Sequence, residues 1–159
     1  MIVSKFGGTS VGSYEAMSRS AGIIADNPQR RWVVISATAG TTNDLVALSK
    51  QTSQRSEVER LLQLIEERHQ DIASQCTNAS GALQQVNDLM IRLRDHVQVD
   101  TKDAQWVDNL LAFGEDFSTR LFKYVLEEHG VLVRLEWAGQ WIKTDSRFGN
   151  AEVQLERIQ

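Results

Sequence analysis

The sequence predicts an α/β domain in which parallel strands are joined by helical crossovers, with a helical excursion between the second and third strands. Three observations carry that expectation. Residues 2–6 (IVSKF) alternate apolar and polar side chains and run into Gly7 and Gly8, the pattern of a strand ending in a turn. Residues 32–36 (WVVIS) form a continuous apolar run rich in β-branched residues, as expected of a strand buried on both faces of a parallel sheet. The stretch between them has helical spacing. Strand, helix and strand then make a βαβ unit, whose crossover is right-handed almost without exception.

The elements follow in order. Ser13 stands in the capping position of a helix that puts Met17, Ala21 and Ile24 on one face, and Asp26-Asn27-Pro28 ends it. After the second strand, a turn over 37–43 leads to a helix opened by Leu45, Val46 and Leu48. Residues 56–99 have the stripes of a helical hairpin. Val58, Leu61, Leu62, Ile65 and Ile72 line one arm, and Leu83, Val86, Met90, Leu93 and Val97 line the other. The turn between them is expected at TNASG, residues 77–81. Trp106, Leu110, Phe113, Phe117 and Leu121 mark a further helix closed by Gly130. Residues 131–137 (VLVRLEW) alternate as a third strand, and residues 140–145 (QWIKTD) begin another. Val153, Leu155 and Ile158 have the spacing of an opening amphipathic helix with no glycine or proline to end it, so the sequence reads as an incomplete chain.

Composition narrows the function. A chain of 159 residues supports one domain with a substantial core. A net charge of −4 without a basic stripe argues against a nucleic-acid binder. No apolar run approaches the roughly 18 residues of a membrane span, and the first residues lack the pattern of a signal peptide. Cys76 is the lone cysteine, so no internal disulfide forms, and a cytoplasmic location is expected. Cys76 has no neighbouring base, which argues against a catalytic thiol. His69, His96 and His129 lie apart, without metal-ligand spacing, and read as members of solvated helix faces. No metal ligand is expected.

Three stretches are polar where packing alone does not ask for it: KFGGTS (5–10), SATAGTTN (36–43) and GEDFS (114–118). The first two sit at the carboxyl ends of the expected strands, the edge at which open α/β sheets bind ligands. A glycine turn followed by a helix N-terminus forms an anion cradle, and a lysine entering it supplies a compact positive charge. The order is not that of a Walker loop, in which the lysine follows the glycines; here Lys5 precedes Gly7 and Gly8. Both stretches are read equally well as tight turns with helix caps. Glu115 is either a surface carboxylate or an anchor for a cationic group of a substrate.

Taken together and in this order, KFGGTSVG, SATAGTTNDL and FGEDFSTRLF resemble the N-terminal motifs of the aspartate kinases. KTDSRFGNAE (143–152) resembles a later segment of their lysine-sensitive, monofunctional type. The resemblance implies the three-layer α/β/α sandwich of the amino-acid kinases. Residues 1–159 would be the N-terminal part of the catalytic domain, without its C-terminal part or the ACT regulatory domains. It implies transfer of the γ-phosphoryl group of ATP to the β-carboxylate of L-aspartate. The product would be 4-phospho-L-aspartate, at the entry to lysine, threonine and methionine synthesis. Lys5 would be the catalytic cation and, with Gly7, Gly8 and Ser36, would bind the phosphates. Thr42 would contact aspartate, and Glu115 would receive its α-ammonium group. Mg2+ is implied by ATP, without an identifiable ligand in this chain. The expected partners are ATP, L-aspartate, a further copy of the chain in a homo-oligomer and, for the full-length parent, lysine as effector; neither nucleic acid nor membrane is among them. The alternatives are an amino-acid kinase with another acidic substrate, or a non-catalytic binding or assembly fragment of the same fold.

Overall fold

The computed structural model describes residues 1–50, 54–100 and 102–158. Strands β1 (Ile2–Phe6) and β2 (Arg30–Ile35) pair in parallel, with Lys5 opposite Val34 and Phe6 opposite Ile35. Helix α1 (Tyr14–Ala25) joins them, completing the expected βαβ unit. Its start is fixed as the sequence suggests: the Ser13 hydroxyl accepts a hydrogen bond from the Ala16 amide at 3.2 Å, supplying one of the partners that a helix N-terminus lacks. Met17, Ala21 and Ile24 are buried.

Helix α2 (Thr41–Lys50) starts at Thr41, ahead of the apolar run that announces it, so Thr42 and Asn43 belong to its first turn. Helices α3 (Arg55–Gln75) and α4 (Ala79–Val97) form the hairpin. The turn is tighter than TNASG suggests, because the Asn78 side chain accepts from the Gly81 amide at 3.1 Å and caps α4 at once. Helix α5 (Ala104–Glu128) runs through the centre and ends at Gly130, whose φ of +75° favours glycine. Ile65 and Ile72 of α3, Leu89 and Leu93 of α4, and Leu110 and Phe117 of α5 are almost fully buried in one core. At the lower end of this core, the Glu128 carboxylate accepts from Tyr14 Oη and from the Thr77 amide, each at 2.7 Å. It thereby ties α1 and the hairpin turn to the end of α5. This contact pushes the Tyr14 pKa up to about 12.

Four expectations fail for the same physical reason, the lack of a covering partner. The second strand is not buried on both faces. Phe6 and Ile35 pack against the helices, with Phe6 6.2 Å from Phe122 between ring centres. The opposite face carries Val3, Lys5, Trp32 and Val34, and these remain exposed, Val3 at 61%, Trp32 at 43% and Val34 at 49%. Residues 131–137 alternate but form no strand: Val131 and Val133 touch the core, Leu132 is 99% exposed, and no ladder among the described residues runs alongside. Alternation produces a strand only where a neighbour supplies hydrogen bonds. The segment leads into α6 (Ala138–Trp141) and then to a single antiparallel bridge between Thr144 and Val153 in place of the expected strand. The closing residues make a short 3-10 turn, Leu155–Arg157, instead of an amphipathic α-helix; Val153, Leu155 and Ile158 find no surface to bury against.

Candidate functional site

The two strands end side by side. The Phe6 carbonyl accepts from the Ser36 amide at 3.1 Å, and the Gly8 carbonyl accepts from the Ala39 amide at 3.2 Å. The glycine turn after β1 and the 36–43 loop after β2 are thereby laced together. Their approach explains one glycine fully: a Cβ on Gly8 would lie 2.7 Å from the Ala37 carbonyl oxygen. Gly7 is different. Nothing lies within 4 Å of where its Cβ would be, so the backbone there faces open space.

Helix α5 brings the third motif to the same edge. It approaches so closely at Gly114 that a Cβ would stand 2.8 Å from the Ala37 Cβ and 3.4 Å from Leu45 Cδ1. The next residue, Glu115, uses that proximity: its Oε1 accepts from the Ala37 amide at 3.2 Å, while the side chain stays exposed. Thr42 is exposed in the first turn of α2, and Ser36 is half-buried at the end of β2. The first amide groups of a helix lack intrahelical partners and carry its positive dipole end, so the start of α2 presents donors at this edge. Lys5 reaches the edge from the other side. It projects from the uncovered face of the sheet, whereas Glu115 arrives with the helices on the covered face. Of the sequence-derived candidates, Gly8, Ser36, Thr42 and Glu115 are joined through the 36–43 loop, and Lys5 with Gly7 stands across the sheet end from them.

The structure adds residues that the sequence did not single out. Arg68 of α3 donates through Nη1 to Thr41 Oγ1 at 3.3 Å and pairs through Nη2 with Asp44 Oδ2 at 2.7 Å. It is therefore fastened to the first turn of α2. Its neighbour His69 is fully buried, contrary to a solvated face. His69 Nδ1 donates to the Ile65 carbonyl at 2.6 Å, and the ring stacks on Phe117 at 4.4 Å between centres. Burial pulls its pKa down to about 4. His96 also departs from the solvated reading, stacking on Trp106 at 5.2 Å with Nε2 2.9 Å from the Trp106 carbonyl. An apolar stripe cannot reveal such positions, because both histidines substitute for apolar residues without extending the stripe. Cys76 is buried, and burial raises its thiol to about 11, the opposite of nucleophilic activation. A groove of about 520 Å³ between α4, α5 and Trp137 is lined by Arg92, His96, Phe113 and Asp116 and takes in none of the candidate residues.

Two further tests bear on what the edge could hold. The open space at Gly7 and the neighbouring Lys5 suit a phosphate chain. A metal ion fits less well: among the described residues no group of three or more His, Cys, Asp or Glu side chains is arranged to hold one. No helix among the described residues is long and apolar enough to cross a membrane.

The amino acid kinase family model matches residues 1–156. This chain belongs to the amino acid kinase family. It is 34% identical over 164 residues to the lysine-sensitive aspartokinase 3 of Escherichia coli, covering 99% of this chain and 35% of that protein. It is 33% identical to the aspartokinase of Chlamydia trachomatis, with 99% and 35% covered. The crystal structure of E. coli aspartokinase III in complex with aspartate and ADP superposes with a TM-score of 0.92 at 32% identity, over 99% of this chain and 35% of that one. The chain thus spans about a third of the length of the relatives it matches, and its mixed α/β fold is that of the corresponding part of aspartokinase III.

Proposed function

We propose that residues 1–159 form the N-terminal part of the catalytic domain of an aspartate kinase, which transfers the γ-phosphoryl group of ATP to the β-carboxylate of L-aspartate. The observation that carries this reading is the placement of Glu115. Its exposed carboxylate is held at the end of β2 by the Ala37 amide, beside the first turn of α2 that carries Thr42. A fixed anion next to helix-terminal donors suits a substrate that bears both an ammonium and carboxylates. The aspartate and ADP named with the superposed E. coli enzyme support the same assignment.

The chemistry asks little of the protein beyond charge and position. An aspartate β-carboxylate is ionised at neutral pH, so no general base is needed. One carboxylate oxygen forms a bond to the γ-phosphorus as the bond from that phosphorus to the bridging oxygen breaks, and the electron pair leaves with ADP. No proton moves. Lys5 neutralises the charge that shifts between the β- and γ-phosphoryl oxygens, and the open backbone at Gly7 admits them. Gly8 and Ser36 hold the two strand exits together, which keeps the phosphate side and the aspartate side in register. Thr42 contacts aspartate and Glu115 pairs with its ammonium. Mg2+ would accompany ATP through groups other than those described. Lysine as effector, a homo-oligomeric assembly and a cytoplasmic location complete the reading of the parent enzyme.

Glu115→Gln in the natural polypeptide that carries this sequence tests the assignment. Losing a charge-assisted contact to the ammonium should weaken aspartate binding about 10- to 100-fold, with ATP affinity nearly unchanged. Equal weakening of both ligands, measured by steady-state kinetics with each varied in turn, would show Glu115 to be structural.

A further inference from the structure

We infer that Arg68 is a positioning residue for the aspartate-binding loop, clamping the first turn of α2 to the helical hairpin so that Thr42 is held in place; the assignment to aspartate rests on the function proposed above. The loop between β2 and α2 is fixed at its start by the Ala37 and Ala39 amides, which donate to Glu115 and to the Gly8 carbonyl. Its far end depends on α3. The Arg68 guanidinium bonds Thr41 Oγ1 at 3.3 Å, pairs with Asp44 at 2.7 Å, and lies 3.2 Å from where a Gly40 Cβ would stand. Gly40 has a φ of +88°, so the chain turns there in a conformation that side chains disfavour, directly under the guanidinium.

Thr42 lies between these anchored positions. Thr41 is fully buried and Asp44 is half-buried, while Thr42 faces solvent. Fixing residues 41 and 44 in one helical turn fixes the direction of residue 42. The fork geometry of arginine suits this task, since one planar group meets two acceptors at once, which a lysine ammonium on a flexible stem does less well. Charge points the same way. A cation at a helix N-terminus opposes the dipole, and Asp44 in the first turn of α2 offsets it. What remains is an organised, positive turn end facing an anionic substrate. It also gives the helical hairpin, which carries none of the sequence-derived site residues, a direct hold on the substrate loop.

The test pairs two readouts on Arg68→Ala and Arg68→Lys. In the natural polypeptide that carries this sequence, amide hydrogen exchange of residues 38–43 should speed up about ten-fold or more in Arg68→Ala, and less in Arg68→Lys, while the core of α5 keeps its protection. In the natural polypeptide, KM for aspartate should rise about ten-fold in Arg68→Ala, with KM for ATP and kcat little changed and Arg68→Lys intermediate. Unchanged loop exchange in Arg68→Ala overturns the clamp. Faster exchange with an unchanged aspartate KM overturns the positioning of Thr42. An unsubstituted enzyme without aspartate dependence overturns the functional reading, whatever the loop does. An Arg68→Ala chain that does not fold leaves Arg68→Lys to decide, since wild-type exchange and KM in that variant refute the need for the fork.

Discussion

Lowering the pH from about 7.5 to about 5 should remove about 2 kcal/mol of folding stability through one side chain, His69. The Ile65 carbonyl can only accept, so the 2.6 Å contact makes Nδ1 the protonated nitrogen and leaves the basic lone pair on Nε2. That atom is buried and has no hydrogen-bond partner among the described residues. Protonating it would create a charged N–H with nothing to receive it, against the face of Phe117. Burial is therefore the main cause of a pKa near 4, with the neighbouring Arg68 cation lowering it further and the Ile65 carbonyl and Asp44 opposing. The unfolded imidazole titrates near 6.5. Above that pH both states are neutral and the stability is fully present. Below it the unfolded chain takes up a proton that the folded chain refuses, and the loss grows to about 3 kcal/mol by about pH 4. Urea unfolding followed by circular dichroism at a series of pH values measures this directly. His69→Leu, similar in volume and unable to titrate, should flatten the slope between about pH 7.5 and 5. An equal slope in both proteins, or an NMR titration of the His69 ring near 6.5, would refute the reasoning.

Two other substitutions follow from the site geometry. Gly114→Ala inserts a methyl 2.8 Å from the Ala37 Cβ; overpacking should cost about 1–3 kcal/mol, less up to about 1 kcal/mol regained from helix propensity, and an unchanged urea midpoint would contradict it. Lys5→Ala in the natural polypeptide should lower kcat on the order of 10² or more with little change in aspartate KM, and should leave the melting temperature alone because Lys5 is exposed; near-normal turnover would refute its role.

Most of the fold was legible because local rules decided it. Ser13 caps where its side chain says it should, and the stripes of α3, α4 and α5 bury the expected faces. The failures share a cause. Strand identity at 131–137 and two-sided burial of β2 both depend on partners beyond the segment itself, and alternation or β-branching carries no information about whether a partner is there. The site was legible as three polar stretches but not as a geometry. Nothing near Gly114 in the sequence says that α5 must touch Ala37, nor that Gly8 answers to the Ala37 carbonyl before any phosphate. Arg68 and His69 lie on a helix that reads as excursion, and only the packing of α3 against α2 and α5 reveals that one grips the first turn of α2 and the other fills the core.

The two sides of the proposed site differ in how much of their surroundings these residues supply. On the aspartate side, Glu115 is braced by a backbone amide and Thr42 sits in a helical turn that Arg68 fastens. On the phosphate side, Lys5 stands among Val3, Trp32 and Val34 on a face open to water. A charge of this kind interacts with phosphate far more weakly in water than where protein excludes it: at 4 Å a unit pair is worth about 1 kcal/mol in bulk water and about 4 kcal/mol near a protein surface. The apolar neighbours of Lys5 make sense as the wall of a covered site, since an exposed patch of valine and tryptophan otherwise only loses burial energy. The relatives have about three times this length of chain with which to supply such cover. Under the proposed function, recognition of aspartate is therefore the half of the chemistry that these residues would organise themselves, while the catalytic strength of Lys5 would depend on how well water is excluded from that face.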